Sequence, residues 1–479
     1  LSFLENSVLW ITLFYVSEWV IRIVMLGVVT RRRGPSSAMA WLLVIFIAPW
    51  AGLVIYLIIG ERHLPKDRVD KHVWLMHYWE GARKRFRSQR GLRSEEVGEF
   101  GAVADLVERL GSAPPLGGNT VELIGRSETF IERLVADIDN ARDHVHLLFY
   151  IYRDDAVGRL VGNALARAVQ RGARCRLLVD AVGSRPMLRT LAPSLRARGI
   201  NVCAALRLDP FRRYVTRADL RNHRKLAIID GRAAWAGSHN IVDPSYGHTD
   251  LTWHDLSARL TGPIVLALQA LFIGDWFMES DEMLEHEAYL PEPEPGGDAV
   301  IQLLPSGPTY HIENYQRLVV AALHNARSHV VITTPYFVPD QAFMQAVQVA
   351  VLRGVKVEIV VPQRSDQILA GNAGRAYYAE LLEYGAHIHL HTDGLLHSKT
   401  MTIDDAMCFF GSSNFDIRSF ALNFEVNLVF YSPKDVNALL AEQRRYIRQS
   451  VPLVLEEWLR RPPLVRLFQN VTKLLSPLL

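Results

Sequence analysis

Two short runs of the chain carry the same reactive side chains. His223, Lys225 and Asp230 lie in HRKLAIID, and His397, Lys399 and Asp404 lie in HSKTMTID, so the spacing HxKxxxxD occurs twice. A Gly-Ser pair and an Asn follow each: Gly237, Ser238 and Asn240, then Gly411, Ser412 and Asn414. On a strand, residues two apart share a face, so each His is aimed with its Lys at one target. One such match is weak; two in register, with matching tails, describe a pair of half-sites. Two imidazoles and two ammonium groups suit a phosphodiester. One neutral imidazole can attack phosphorus and form a phosphohistidine, while the other, protonated, gives its proton to the departing alkoxide and then takes one from the incoming hydroxyl. Lys225 and Lys399, the amides of Asn240 and Asn414, and the hydroxyls of Ser238 and Ser412 are the candidates to bind the phosphate oxygens and their developing charge.

A reacting histidine needs an acceptor on its other ring nitrogen. Asp255 in TWHDLSARL and Glu425 in LNFEVNLVF stand in comparable places downstream of the motifs and are the candidate orienting carboxylates. Asp230 and Asp404 complete the catalytic motif, and their position in the turn after the strand also suits them to accept backbone hydrogen bonds there. No cluster of carboxylates and histidines has the pattern of a metal cage, so no metal or other cofactor is expected, and positive side chains take the part a metal would have played.

The elements that must position these groups recur as well. NARDHVHLLFYIY from Asn140 matches NARSHVVITTPYF from Asn325, and VQRGARCRLLVDA from Val169 matches VLRGVKVEIVVPQ from Val351. With the two motifs, three blocks keep their order, which predicts two copies of one α/β unit, each a mixed, largely parallel sheet covered by helices. The expected organisation is a helical hairpin over 1–60, a connecting segment over 61–112, a first domain over 113–288, the Pro- and Gly-rich linker YLPEPEPGGD over 289–298, and a second domain with C-terminal helices over 299–479.

Lys and Arg number 53 against 50 Asp and Glu, a net charge of +3, which excludes a uniformly basic nucleic-acid coat and an acidic disordered chain. The 49% hydrophobic content is high beside 22% charged residues, and the surplus sits in the first sixty residues. Residues 38–60 carry no charge, enough to cross a hydrocarbon core of ~30 Å. Residues 8–29 are nearly as apolar, with Glu18 and Arg22 one turn apart and able to pair. The basic cluster Arg31 to Arg33 comes after the apolar run, unlike a secretory leader, so both spans read as a membrane anchor. Orientation is not decided, because Arg62, Lys66, Arg68 and Lys71 oppose that cluster. Cys175, Cys203 and Cys408 lie in apolar runs and are expected as buried free thiols.

The duplicated motif with its Gly-Ser and Asn tail resembles the phospholipase D superfamily. Together with the hairpin, PSSAMAWLLVIFIAPWAGLVIYLIIGE, YFVPD and GLLHSKTMTIDD, it looks like the bacterial cardiolipin synthases over essentially the whole chain. The resemblance implies two pseudo-symmetric phospholipase D-like α/β/α domains behind a transmembrane hairpin, in a multi-pass protein of the bacterial inner membrane. It implies transfer of a phosphatidyl group between two phosphatidylglycerol molecules through a phosphatidyl-histidine, without metal, giving cardiolipin and glycerol. By position, His223 would be the nucleophile and His397 the acid and base; the pseudo-symmetry of the pocket leaves their order open. The alternative is a phosphodiesterase of the same class hydrolysing phospholipid or nucleic acid. The expected partners are phosphatidylglycerol and anionic membrane lipids and no nucleic acid, with a homo-oligomer left open. One departure is Asp404-Asp405 where the first repeat has Asp230-Gly231, which puts the second turn's geometry in question. Residues 206–225, with seven Arg and Lys against two Asp and with Phe211 and Tyr214 interleaved, are expected to gather anionic lipid beside the first motif. The tail 451–479 suits either the bilayer or packing on the body.

Overall fold

The computed structural model describes residues 2–60, 68–77, 91–92, 94–207, 219–248, 250–285, 289–294, 296–310 and 313–474. Most of the basic run 206–225, from 208 to 218, and the last five residues of the tail lie outside them. The chain forms two compact units.

The first unit contains the apolar N-terminus. Helix Ser2–Arg32 is followed after two residues by helix Pro35–Ile47, which folds back on it. Ile21, Met25 and Val29 pack with Ala38, Trp41, Ile45 and Tyr56. The outward residues, among them Trp10, Ile23, Leu43 and Ile47, stay exposed, the inverse of a water-soluble helix pair. Glu18 and Arg22 pair at 3.4 Å as expected, and the guanidinium also donates to the Phe46 carbonyl. The expected continuous span over 38–60 is broken. Ala48 leaves the helical region (φ −137°, ψ 81°) and a new helix, Pro49–Ile55, begins. Pro49 has no amide to donate and crowds the residue before it, which explains the break. Among the described residues one helix, over Ser7–Arg32, is by itself long and apolar enough to cross a membrane.

The second unit is built on a sixteen-stranded sheet with a near-palindromic order. From one edge run Asn201–Ala205, Arg174–Asp180, His144–Phe149, Lys225–Ile229, Ala233–Gly237, Ser257–Thr261 and Leu116–Ile124. The series then reverses through Ala299–Ser306, Asn423–Phe430, Met407–Gly411, Thr400–Ile403, His329–Thr333, Lys356–Pro362 and His387–His391. In each half three strands run parallel and the motif strand joins them antiparallel; in the second half Ser450–Pro452 adds an antiparallel edge beyond them. The sheets are mixed as expected, but the pairs toward the seam are all antiparallel, so they are largely antiparallel and not largely parallel. The halves are joined edge to edge, Leu116 opposite Ile301, making one sheet of two. Equivalent helices start on equivalent caps: Asp155 accepts from the Gly158 amide and Asp340 from the Phe343 amide, each at 2.9 Å and each contributing ~1 kcal/mol. One large apolar cluster lies in each half, and a third large one crosses the seam, with Leu226 and Leu260 of the first half and Phe410 and Leu428 of the second in it. The three cysteines are buried and free.

The two motif turns have the same shape despite their different residues. Asp230 and Gly231 have φ of 52° and 63°, and Asp404 and Asp405 have φ of 51° and 54°. A Cβ on Gly231 would meet the Pro291 side chain at 2.6 Å and the Tyr289 carbonyl at 2.9 Å, so that position admits glycine alone. Asp405 stands half exposed at the equivalent position, with His329 Nδ1 3.8 Å from its carboxylate.

Candidate active site

Each motif histidine lies just ahead of its strand, in a short extended entry. There, a two-residue parallel bridge ties it to the other half. Arg221 and Asn222 pair with Asn423 and Phe424, and Leu395 and Leu396 pair with Trp253 and His254. The His223 amide then donates to the Phe424 carbonyl at 2.8 Å, and the His397 amide to the His254 carbonyl at 2.9 Å. The next residues along are Glu425 and Asp255. The register therefore delivers a carboxylate from one half to the imidazole of the other.

The side chains follow. His223 Nδ1 lies 2.9 Å from Glu425 Oε2, and His397 Nδ1 lies 2.5 Å from Asp255 Oδ1. Both expected orienting carboxylates are thus at histidine rings, crosswise between the repeats. Each carboxylate holds Nδ1 as a donor, which leaves Nε2 with its lone pair when the ring is neutral. Glu425, fully buried, also accepts from Ser412 Oγ at 2.6 Å, Ser419 Oγ at 3.0 Å and Asn423 Nδ2 at 3.2 Å. Asp255 is reached by the Tyr246 hydroxyl at 3.4 Å, and Asn240 donates to that hydroxyl at 2.9 Å. Trp253 lies 4.4 Å from the His397 ring and stacks on Tyr246; Tyr150 meets the His223 ring edge-on at 4.8 Å.

Lys225 Nζ donates to the His223 carbonyl at 2.6 Å, and Lys399 Nζ donates to the His397 carbonyl, so each ammonium is held beside its own histidine. Burial lowers Lys225 to about 8 and Lys399 to about 7, with Glu425 and Asp255 pulling the other way. Burial likewise pushes His223 down to about 4 and His397 to about 3, the lysines adding to the effect and the carboxylates opposing it. Lys399 acts on His223 and Lys225 on His397, as one shared site requires. Burial alone would raise Asp255 and Glu425; the histidines and lysines outweigh it and hold both below the usual carboxylate range. With no ligand bound, the site holds two neutral imidazoles over two ionised carboxylates. His223 opens on a cavity of about 280 Å³ lined also by Tyr150, Arg221, Tyr336, Asn414 and Arg418.

Other expected residues are placed differently. Asp230 and Asp404, grouped by spacing with the catalytic set, serve the backbone. Asp230 accepts from the amides of Arg142, Asp143 and His144 at 2.8–2.9 Å, and Asp404 from those of Arg327, Ser328 and His329 at 2.7–2.9 Å. These are the NARDH and NARSH blocks, so each motif aspartate pins the start of the neighbouring strand. Ser238 and Ser412, expected among the phosphate donors, are engaged elsewhere: Ser238 accepts from the Leu256 amide, and Ser412 holds Glu425. Asn240 spans the Ile151 amide and Tyr246. Asn414 lines the cavity and gives its amide to Asp416 at 3.0 Å. Sequence reasoning missed Tyr246, Trp253, Ser419 and Asn423, which contact the His-carboxylate pairs; their proximity to Asp255 and Glu425 in the chain was the available signal. It also missed Tyr150 and Arg418 in the cavity wall, whereas Arg221, there too, belongs to the basic run 206–225 expected beside the first motif. Among the described residues no group of three or more His, Cys, Asp or Glu is gathered as for a metal ion.

Two half-sheets joined at one edge, each bringing a histidine and a lysine to a shared site, define a phospholipase D-like protein. A family model described as cardiolipin synthase, PLD-like domain, matches residues 134–276 and 319–447, and one described as phospholipase D-nuclease N-terminal matches residues 20–61. The cardiolipin synthase A of Proteus mirabilis is 35% identical over 486 residues, spanning 98% of each chain. Those of Pectobacterium carotovorum and Escherichia coli are 36% and 34% identical over 95% of this chain and 96% of theirs. The chain belongs to the cardiolipin synthase family. The crystal structure of a phosphatidylserine synthase from Haemophilus influenzae shares the fold, with a TM-score of 0.62 at 16% identity over 79% of this chain and 100% of that one. The family and the long apolar helix make this a membrane protein.

Proposed function

We propose that the chain is a cardiolipin synthase that moves a phosphatidyl group from one phosphatidylglycerol to another, as a multi-pass protein of the bacterial inner membrane. The observation that carries this reading is the crosswise pairing of His223 with Glu425 and His397 with Asp255 around two buried lysines. His223, neutral at pH 7 and opening on the cavity of about 280 Å³, attacks phosphorus through Nε2. The P–O bond to the glycerol headgroup breaks as the P–N bond forms, and His397 Nε2–H supplies the proton that the glycerol oxygen takes. The bound diester brings the negative charge that raises His397 enough to carry this proton. His397, neutral again, then takes the proton of a hydroxyl on a second phosphatidylglycerol, whose oxygen attacks phosphorus and releases His223. Lys225 and Lys399 meet the equatorial oxygens in a site from which water is largely excluded. Asp255 and Glu425 keep Nε2 aimed and stabilise each ring while it carries charge.

The test is purified enzyme with headgroup- and acyl-labelled phosphatidylglycerol and no nucleotide-activated lipid. The expected products are cardiolipin and one glycerol each, with acid-quenched lipid phosphate on a histidine that His223→Ala removes. Phosphatidic acid as the main product would assign hydrolysis instead.

A further inference from the structure

Helix Pro463–Leu474 is turned inside out. Its two buried residues are polar, Gln469 at 3% and Thr472 at 2% exposure, while Leu464 (78%), Leu467 (60%), Phe468 (47%), Val471 (49%) and Leu474 (78%) stand open. Their spacing puts these five on one stripe. Polar contacts fix the opposite side: Arg461 donates to Gln469 Oε1 at 2.7 Å, and Lys473 Nζ lies 4.0 Å from the centre of the Tyr377 ring. The stripe therefore cannot roll inward.

Helix Ile368–Arg375 packs beside it and continues the surface, with Ile368 and Leu369 exposed. Ala370 of that helix, with Gln367 before it, lines the cavity that holds His223. The apolar face thus borders the site. Between Trp458 and Leu474 the chain has Arg460, Arg461, Arg466 and Lys473 and no acidic residue. Apolar and basic side chains together suit an anionic lipid surface. Arg461 is tied to Gln469 and Lys473 lies near Glu380, which leaves Arg460 and Arg466 to meet an occupant, and a second copy of the chain would instead bring these two cations against the same two.

We propose that these two helices dock on the anionic phospholipid bilayer, with Pro463–Leu474 lying in the interface, so that the cavity takes its substrate from the lipid surface. The proposal rests on the phospholipid-transferase reading and adds a lipid contact separate from the apolar hairpin.

The native cysteines are buried, so Leu467→Cys in the full-length enzyme offers one accessible thiol for an environment-sensitive fluorophore. In phosphatidylglycerol vesicles carrying spin-labelled lipid, the fluorophore at Leu467→Cys is expected to be quenched, and more strongly than at Asn470→Cys on the flank of the helix. Equal or absent quenching at both positions overturns the proposal. So does protection that rises with protein concentration in detergent and ignores lipid, which assigns the stripe to a second copy. The pair Leu467→Asp and Phe468→Asp is expected to raise the apparent KM on vesicles about ten-fold, and less on monomeric short-chain phosphatidylglycerol; an equal loss on both would make the stripe a packing element. Quenching is read whether or not the enzyme turns over, so an enzyme that is quenched but makes no cardiolipin refutes the transferase reading and leaves the docking intact.

Discussion

His223 of the first repeat has its Nδ1 2.9 Å from Oε2 of Glu425 in the second, 202 residues further along the chain. His397 and Asp255 reverse the relation across 142 residues. Each motif histidine is thus aimed by the half that does not contain it, and neither repeat supplies the carboxylate of its own motif histidine.

Removing a carboxylate's charge while keeping its shape tests that relation. Glu425→Gln and Asp255→Asn are each expected to lower kcat by ~10²-fold or more, with KM little changed, because an amide still meets the ring but stabilises its charged form poorly. Ser412→Ala, which removes one of the hydrogen bonds to Glu425, should cost about ten-fold or less. Single-turnover rates measured beside circular dichroism decide it; both carboxamide variants keeping more than a tenth of the rate would detach these acids from the chemistry.

The pH profile of kcat/KM should fall at both ends. Below about 4 the His223 imidazole takes a proton and cannot attack, so the rate drops as pH falls. On the alkaline side His397, at about 3 in the free enzyme, must take up the proton it later gives away, and above about 7 Lys399 also loses the charge that meets the phosphate, so the rate drops more steeply as pH rises. Lys399→Arg keeps its charge throughout and should move the alkaline limb up toward that of Lys225, at about 8. An alkaline limb unmoved in that variant would show that Lys399 does not set it.

Asp404→Ala separates folding from catalysis. Losing the acceptor of three backbone amides and the Ser328 hydroxyl should lower stability by about 2–3 kcal/mol. Enzyme that remains folded should keep kcat within about three-fold, since the carboxylate holds a strand and not a substrate. The denaturant midpoint and kcat of one preparation give both numbers, and a stable but inactive variant would return Asp404 to the chemistry.

Chelators are expected to leave turnover in detergent micelles unchanged, because the positive charge at the phosphate comes from Lys225 and Lys399. Loss of activity restored by one particular divalent ion, and not by ionic strength, would contradict this.

The repeats, the α/β class and the two acids were legible because block order, Gly turns and buried runs leave periodic traces in the chain. The joined sheet was not, since the pairing of Leu116 with Ile301 depends on an edge that either half could have covered otherwise. The crosswise exchange was hidden for a related reason: Asp255 and Glu425 stand out as acids in apolar strands, but nothing local says whose histidine they meet. Asp230 and Asp404 carried two readings in the sequence, as motif members and as acceptors in the turn, because a motif's spacing records which residues travel together and not which of them face the ligand. At Pro49 composition promised one span, and local backbone sterics divided it.

The exchange of acids also sets when a chain under synthesis can first react. A ribosome that has passed Lys399 has made both histidines, both lysines and Asp255, yet His223 has no carboxylate until Glu425 emerges and the strand Asn423–Phe430 joins the sheet. The apolar hairpin is translated well ahead of these residues and meets lipid long before that. Between the two events the nascent chain is among phosphodiesters with its proposed nucleophile unarmed, and headgroup chemistry by that mechanism waits on the strand that carries Glu425.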